Sequence, residues 1–89
     1  MGRIVFSVKL FPEDPSLKLD TLKERVKKAL PGYASVYRFD EEPIAFGLVA
    51  LIAHIVFPED QEGLMDEVEE KLKTVEGISQ SEVLMVRRA

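Results

Sequence analysis

Residues 33–57 read YASVYRFDEEPIAFGLVALIAHIVF, and how this stretch divides into elements decides the fold. Tyr33, Ser35, Tyr37 and Phe39 alternate with Ala34, Val36 and Arg38, the period-2 pattern of a strand over Tyr33 to Glu42. Glu41-Glu42-Pro43 is a turn signal, and in the run from Ile44 to Phe57 only His54 is plainly polar. That run predicts a second strand over Phe46 to Phe57. A connection so short implies an antiparallel pair.

Upstream, Ile4, Phe6, Val8 and Leu10 alternate with Val5, Ser7 and Lys9, giving a half-buried strand over Arg3 to Phe11 that Pro12 and Pro15 end. Asp20 is a good N-cap for a helix whose stripe is Leu22, Val26, Ala29 and Leu30, stopped by Pro31-Gly32. Lys23, Arg25, Lys27 and Lys28 are expected on its solvated face. Downstream, Pro58-Glu59-Asp60 leads into a second helix with Met65, Val68, Leu72 and Val75 on one stripe. Asp66 and Glu67 suit its positive end, Lys71 and Lys73 its negative end, and Gly77 its C-cap. Ile78 to Arg88 reads as the last strand.

Strand, helix, strand, strand, helix, strand, with a tight antiparallel middle pair, is an α+β ferredoxin-like plait (βαββαβ). Its four-stranded antiparallel sheet carries both helices on one face, with the first and third strands central. The tetrapeptide Phe-Pro-Glu-Asp at 11–14 recurs at 57–60, as though the two halves were copies. Taken literally, that offset turns His54 toward the helices with Val8. A lone polar residue in a buried strand belongs on the other face, so Val49, Leu51, Ala53 and Ile55 are expected inward. Leu48, Ala50 and Ile52 then leave the open face unusually apolar.

The chain has 89 residues, 46% hydrophobic and 31% charged, which is the composition of one ordinary globular domain over residues 1–89. Its net charge of -4 is unevenly spread. Residues 1–38 hold eight basic and four acidic groups, residues 39–86 two and twelve, and Arg87-Arg88 follow. A broad basic face for DNA or RNA is therefore disfavoured, leaving room only for a local patch. The absence of cysteine suits a reducing cytoplasm, and the amino terminus, Met-Gly-Arg-Ile-Val-Phe-Ser, lacks the marks of an export signal. The apolar run falls short of the roughly 20 residues a membrane span needs.

Chemistry is sparse. There is no Gly-Lys pair for a phosphate-binding loop and no Gly-x-Gly-x-x-Gly, so no nucleotide or other cofactor is expected. A single histidine rules out a site built on several imidazoles, and His54 is read as a hydrogen-bonded strand residue. Glu13-Asp14, Asp40-Glu41-Glu42, Glu59-Asp60-Glu62 and Glu67-Glu69-Glu70 are read as loop and surface charges, and no metal site is expected. The chain has no asparagine, which weighs against an acylphosphatase-like site, and no Cys-x-x-Cys for metal transfer. Its first strand offers Val5, Ser7 and Lys9 where RNA-recognition plaits carry stacking aromatics.

Glu41-Glu42-Pro43-Ile44-Ala45-Phe46-Gly47-Leu48 is more specific than any of these patterns. With Pro12-Glu13-Asp14-Pro15, Ala29-Leu30-Pro31, Val75-Glu76-Gly77 and Val86-Arg87-Arg88, it closely resembles the archaeal elongation factor 1-beta family along essentially the whole chain. The resemblance implies a guanine-nucleotide exchange factor that promotes GDP release from its partner, the GTPase elongation factor 1-alpha, during translation. It also implies the short archaeal form, since eukaryotic relatives carry extra amino-terminal regions.

In those relatives the phenylalanine of Pro-Ile-Ala-Phe-Gly inserts into the GTPase, which implies a partner-binding site at Pro43, Ile44, Ala45, Phe46 and Gly47. Their penultimate lysine, which reaches the magnesium region, corresponds to Arg88. An arginine fork in place of a compact ammonium implies phosphate or carboxylate contact by Arg87 or Arg88. The alternative from the residues alone is a non-catalytic interaction module, either a sheet-face dimer through Leu48, Ala50 and Ile52 or an RNA-associated plait.

Overall fold

Four strands and two helices follow the expected order in the computed structural model, which describes residues 2–59 and 63–88. They are β1 (Arg3–Pro12), α1 (Leu19–Ala29), β2 (Ser35–Pro43), β3 (Val49–Pro58), α2 (Leu64–Lys73) and β4 (Ile78–Arg88). The strands pair antiparallel in the order β2-β3-β1-β4, so β1 and β3 are central. Asp60, which ends the second Phe-Pro-Glu-Asp, lies outside the described residues.

Alternation turns Phe6, Val8 and Leu10 of β1 and Leu51, Ala53, Ile55 and Phe57 of β3 to one face. There they meet Leu22 and Val26 of α1 and Leu64, Val68 and Leu72 of α2. Each large apolar side chain so buried contributes about 1.5–3 kcal/mol relative to exposure. The duplication read literally fails here. Phe57 is in the core, whereas Phe11 lies outside it with Lys9 Nζ 5.5 Å over its ring, and His54 shares the open face with Ser7 while Val8 turns to the helices.

Several boundaries differ from expectation for local reasons. Helix α1 begins after Lys18, whose carbonyl accepts from the Thr21 and Leu22 amides, so Asp20 sits in the first turn and is not the N-cap. The earlier start draws Leu19 against the core. Thr74, not Gly77, caps α2, and Gly77 lies in the turn before β4 at φ 95°. In β2 the alternation breaks at a bulge between Val36 and Arg38, which lets Val36 and Phe39 both reach the core. The α1 cations are not all solvated. Arg25 Nη1 donates to the Glu76 carbonyl at 2.9 Å, and Lys23 pairs with Glu41 at 3.3 Å.

The open face is less exposed than the sequence suggests. Leu48 and Ile52 are half-buried and Ala50 is 0% exposed. Lys9, opposite Ile52 on one side of β3, is ion-paired to Glu42, opposite Ala50 on the other. A second polar bridge crosses β3 beside it. His54 Nδ1 is 2.7 Å from Ser7 Oγ and Nε2 is 2.8 Å from Asp40 Oδ2. The tautomer that satisfies both has Nε2–H donating to Asp40 and Nδ1 accepting from Ser7. This hydrogen bond from His54 is the main cause holding the Asp40 carboxyl below its ordinary value; desolvation opposes it, and the Arg38 guanidinium at 3.1 Å adds a smaller lowering.

Two outcomes follow from these contacts. A Cβ at Gly77 would stand 2.5 Å from Leu17 Cδ2 in a left-handed conformation, so Gly77→Ala should destabilise by about 2 kcal/mol in urea unfolding. Asp40 titrates lower folded than unfolded, so its contribution is present above the unfolded value near 3.8 and disappears as pH falls through the folded one. Between neutral and strongly acidic pH, wild type should therefore lose more stability than Asp40→Asn. Equal losses in matched urea titrations would remove that assignment.

Candidate functional site

The β2–β3 connection ends in a two-residue turn. The Leu48 amide donates to the Ala45 carbonyl at 2.8 Å, and the Ile44 amide donates to the Leu48 carbonyl at 3.0 Å. The central residues, Phe46 and Gly47, have φ of 52° and 78°, the signature of a type I′ turn that matches the twist of a hairpin. Glycine takes such a conformation freely, whereas a phenylalanine there costs about 1–2 kcal/mol. Among the described residues Phe46 is the only non-glycine with positive φ.

The same residue is 98% exposed, so neither backbone preference nor burial explains a phenylalanine at this position. It is not a core aromatic at the start of a strand, because β3 begins only at Val49. Pro43, Ile44, Ala45 and Gly47 are also exposed, so five of the expected partner-binding residues share one projecting tip. The turn lies later than the sequence suggests: Glu41, Glu42 and Pro43 belong to β2, and Phe46, read as the first residue of the next strand, takes the left-handed turn position. The available signal was the Xaa-Gly pair between two strands.

Arg87 and Arg88 continue the β1–β4 ladder, opposite Val5 and Ile4. Val5 alternates with the core-facing Phe6, so Arg87 lies on the open face and Arg88 on the helix-bearing side. Arg88 Nε is 2.8 Å from Glu59 Oε2. Glu59 follows β3 at the end away from the hairpin, since Pro58 pairs with Arg3 while Val49 pairs with Pro43. A ten-residue strand separates the two ends, roughly 30 Å at about 3.3 Å per residue. The structure thus gathers residues 43–47 and sets both arginines far from them, on opposite faces.

Ser7, His54 and Asp40 have the composition of a nucleophilic triad, yet Ser7 is only 2% exposed and its hydroxyl lies against the imidazole within the sheet. The arrangement is a structural bridge. Among the described residues no three His, Cys, Asp or Glu side chains converge as a metal site would require. No described helix is long and apolar enough to cross a membrane.

The EF-1 guanine nucleotide exchange domain matches residues 4–89. Elongation factor 1-beta of Aeropyrum pernix is 47% identical over 88 residues, covering 99% of this chain and 98% of that protein. The proteins of that name from Staphylothermus marinus and Methanothermobacter thermautotrophicus are each 43% identical, with the same coverage. Among solved structures, the C-terminal domain of the MgtC protein from Mycobacterium tuberculosis superposes with a TM-score of 0.53 at 8% identity. That match covers 100% of this chain and 88% of the other, a likeness of fold alone. Matched end to end by its relatives and by an exchange domain that includes both the hairpin and the terminal arginines, the chain belongs to the elongation factor 1-beta family.

Proposed function

We propose that this exchange factor promotes GDP release from elongation factor 1-alpha through two separate contacts, the Phe46 hairpin and the Arg88 end of the sheet. The single observation that carries the reading is Phe46 itself, a fully exposed aromatic held in a conformation that stabilises nothing within the fold. A large apolar ring held outward on a short, hydrogen-bonded turn is suited to fill a pocket on a partner.

GDP on such a GTPase is held by phosphate-binding backbone and a magnesium ion. A factor that binds better when those contacts are broken weakens GDP binding, and GDP weakens the factor's binding in return. In this reading Phe46, with Pro43, Ile44, Ala45 and Gly47, forms the wedge, and Arg88, or Arg87 on the opposite face, meets phosphate or carboxylate groups. The factor forms no covalent bond with the nucleotide, holds no nucleotide, DNA or membrane itself, and acts in the cytoplasm. The sheet-face dimer has less support, because Ala50 is covered and Leu48 and Ile52 are half-buried.

The test is release of fluorescent GDP from elongation factor 1-alpha. Phe46→Ala should slow factor-dependent release by about thirty-fold, as for an interface hot spot of about 2 kcal/mol. Phe46→Asn should combine that loss with a gain of about 1 kcal/mol in folding stability, because asparagine accepts the left-handed turn position. Unchanged exchange in a folded Phe46→Ala protein would remove the hairpin from the mechanism.

A further inference from the structure

Glu59 joins three parts of the chain at the end of the sheet opposite the hairpin. Its backbone amide donates to the Gly2 carbonyl at 3.2 Å, and its carboxylate Oε2 is ion-paired with Arg88, 2.8 Å from Nε. The carboxylate lies so close over Gly2 that a Cβ there would overlap Oε1 and stand 2.7 Å from Cδ. Its side chain is 26% exposed, whereas that of Arg88 is 81% exposed. A packed, backbone-tethered carboxylate therefore grips a guanidinium that otherwise stands in water.

The choice of nitrogen gives this grip its meaning. Arginine offers five N–H donors, one on Nε and four on the two terminal nitrogens. A carboxylate at the Nε edge leaves the outer edge of the guanidinium, formed by the two terminal nitrogens, to meet an oxyanion end-on in the two-pronged geometry that carboxylates and phosphates accept. Lysine offers one nitrogen, which Glu59 and a partner would have to share.

We propose that Glu59 is a positioning residue for Arg88, anchoring the guanidinium through Nε so that its terminal amino groups are presented to an oxyanion of the GTPase. The inference rests on the exchange role proposed for Arg88. An exposed ion pair adds little to folding, so its effect belongs in the exchange rate. Fixing a long side chain before it meets an oxyanion that it reaches only as GDP is being released removes part of the ordering cost of that contact, worth about five-fold in maximal rate here.

The experiment titrates elongation factor 1-alpha, loaded with fluorescent GDP, with wild type and variants, separating maximal release rate from half-saturating concentration. Urea midpoints confirm that each variant is folded. Arg88→Ala should lower the maximal rate about ten-fold. Glu59→Ala should lower it about five-fold with little change in half-saturation, and add nothing in the Arg88→Ala background. Glu59→Gln, which keeps an acceptor for Nε, should recover part of the rate.

Gly2→Ala, which displaces the carboxylate without removing either partner, should give an intermediate loss. Arg88→Lys should release GDP faster when combined with Glu59→Ala than alone. A wild-type rate for folded Glu59→Ala, an equal loss in the Arg88→Ala background, or no recovery of Arg88→Lys would each overturn the positioning role. A wild-type rate for Arg88→Ala would instead remove the role of Arg88, and this inference with it.

Discussion

The two hydrogen bonds of His54 fix the register on which the rest of the structure depends. Strand β3 is apolar on both faces for most of its length, so hydrophobicity alone discriminates weakly between its two phases. A slip of one residue would send Leu51, Ala53, Ile55 and Phe57 outward and drive the imidazole into the core. A buried polar group without a partner costs about 1–3 kcal/mol, whereas Ser7 on β1 and Asp40 on β2 satisfy both ring nitrogens in the observed phase. The bridge thereby sets three strands against one another. The hairpin tip at Phe46 and the anchor at Glu59 are where they are because the middle of β3 is held.

Legibility in the sequence followed burial. In β1 the apolar set Ile4, Phe6, Val8 and Leu10 alternates with Val5, Ser7 and Lys9, so the pattern identified its core face, whereas in the continuously apolar β3 only the lone histidine marked the outward one. β2 resisted the same reading because a bulge near Tyr37 shifts the phase halfway along. The α1 start was displaced because packing of Leu19 outweighed the capping preference of Asp20. The faces taken by Arg87 and Arg88 could not be read forward from Ser81, because the β1–β4 register shifts between Val83 and Met85. The Arg88–Glu59 contact joins residues far apart in sequence and had no local signature. What identified the tip was a motif resemblance; what showed its strain was the backbone.

Both edges of the sheet carry irregularities, and these bear on what remains exposed. β4 is an outer strand whose Val83, Leu84, Met85 and Val86 are each about half accessible, which would ordinarily invite another strand. The register shift beside Leu84 breaks the even row of backbone donors and acceptors that such pairing needs. On the open face the Lys9–Glu42 and Ser7–His54–Asp40 bridges cover the apolar centre of β3. The fold closes its edge and its face by different means and leaves its two ends accessible.

That separation gives the molecule the properties of a caliper. Hydrogen-bonded strands resist stretching, so the distance between the hairpin and the arginine end is set by a count of residues. Under the two-contact proposal, a GTPase touches both jaws at once only when its own two contact points match that gap. Differential affinity between conformations, which is all that any binding partner can use to shift an equilibrium, would then arise from length as much as from the chemistry at either jaw.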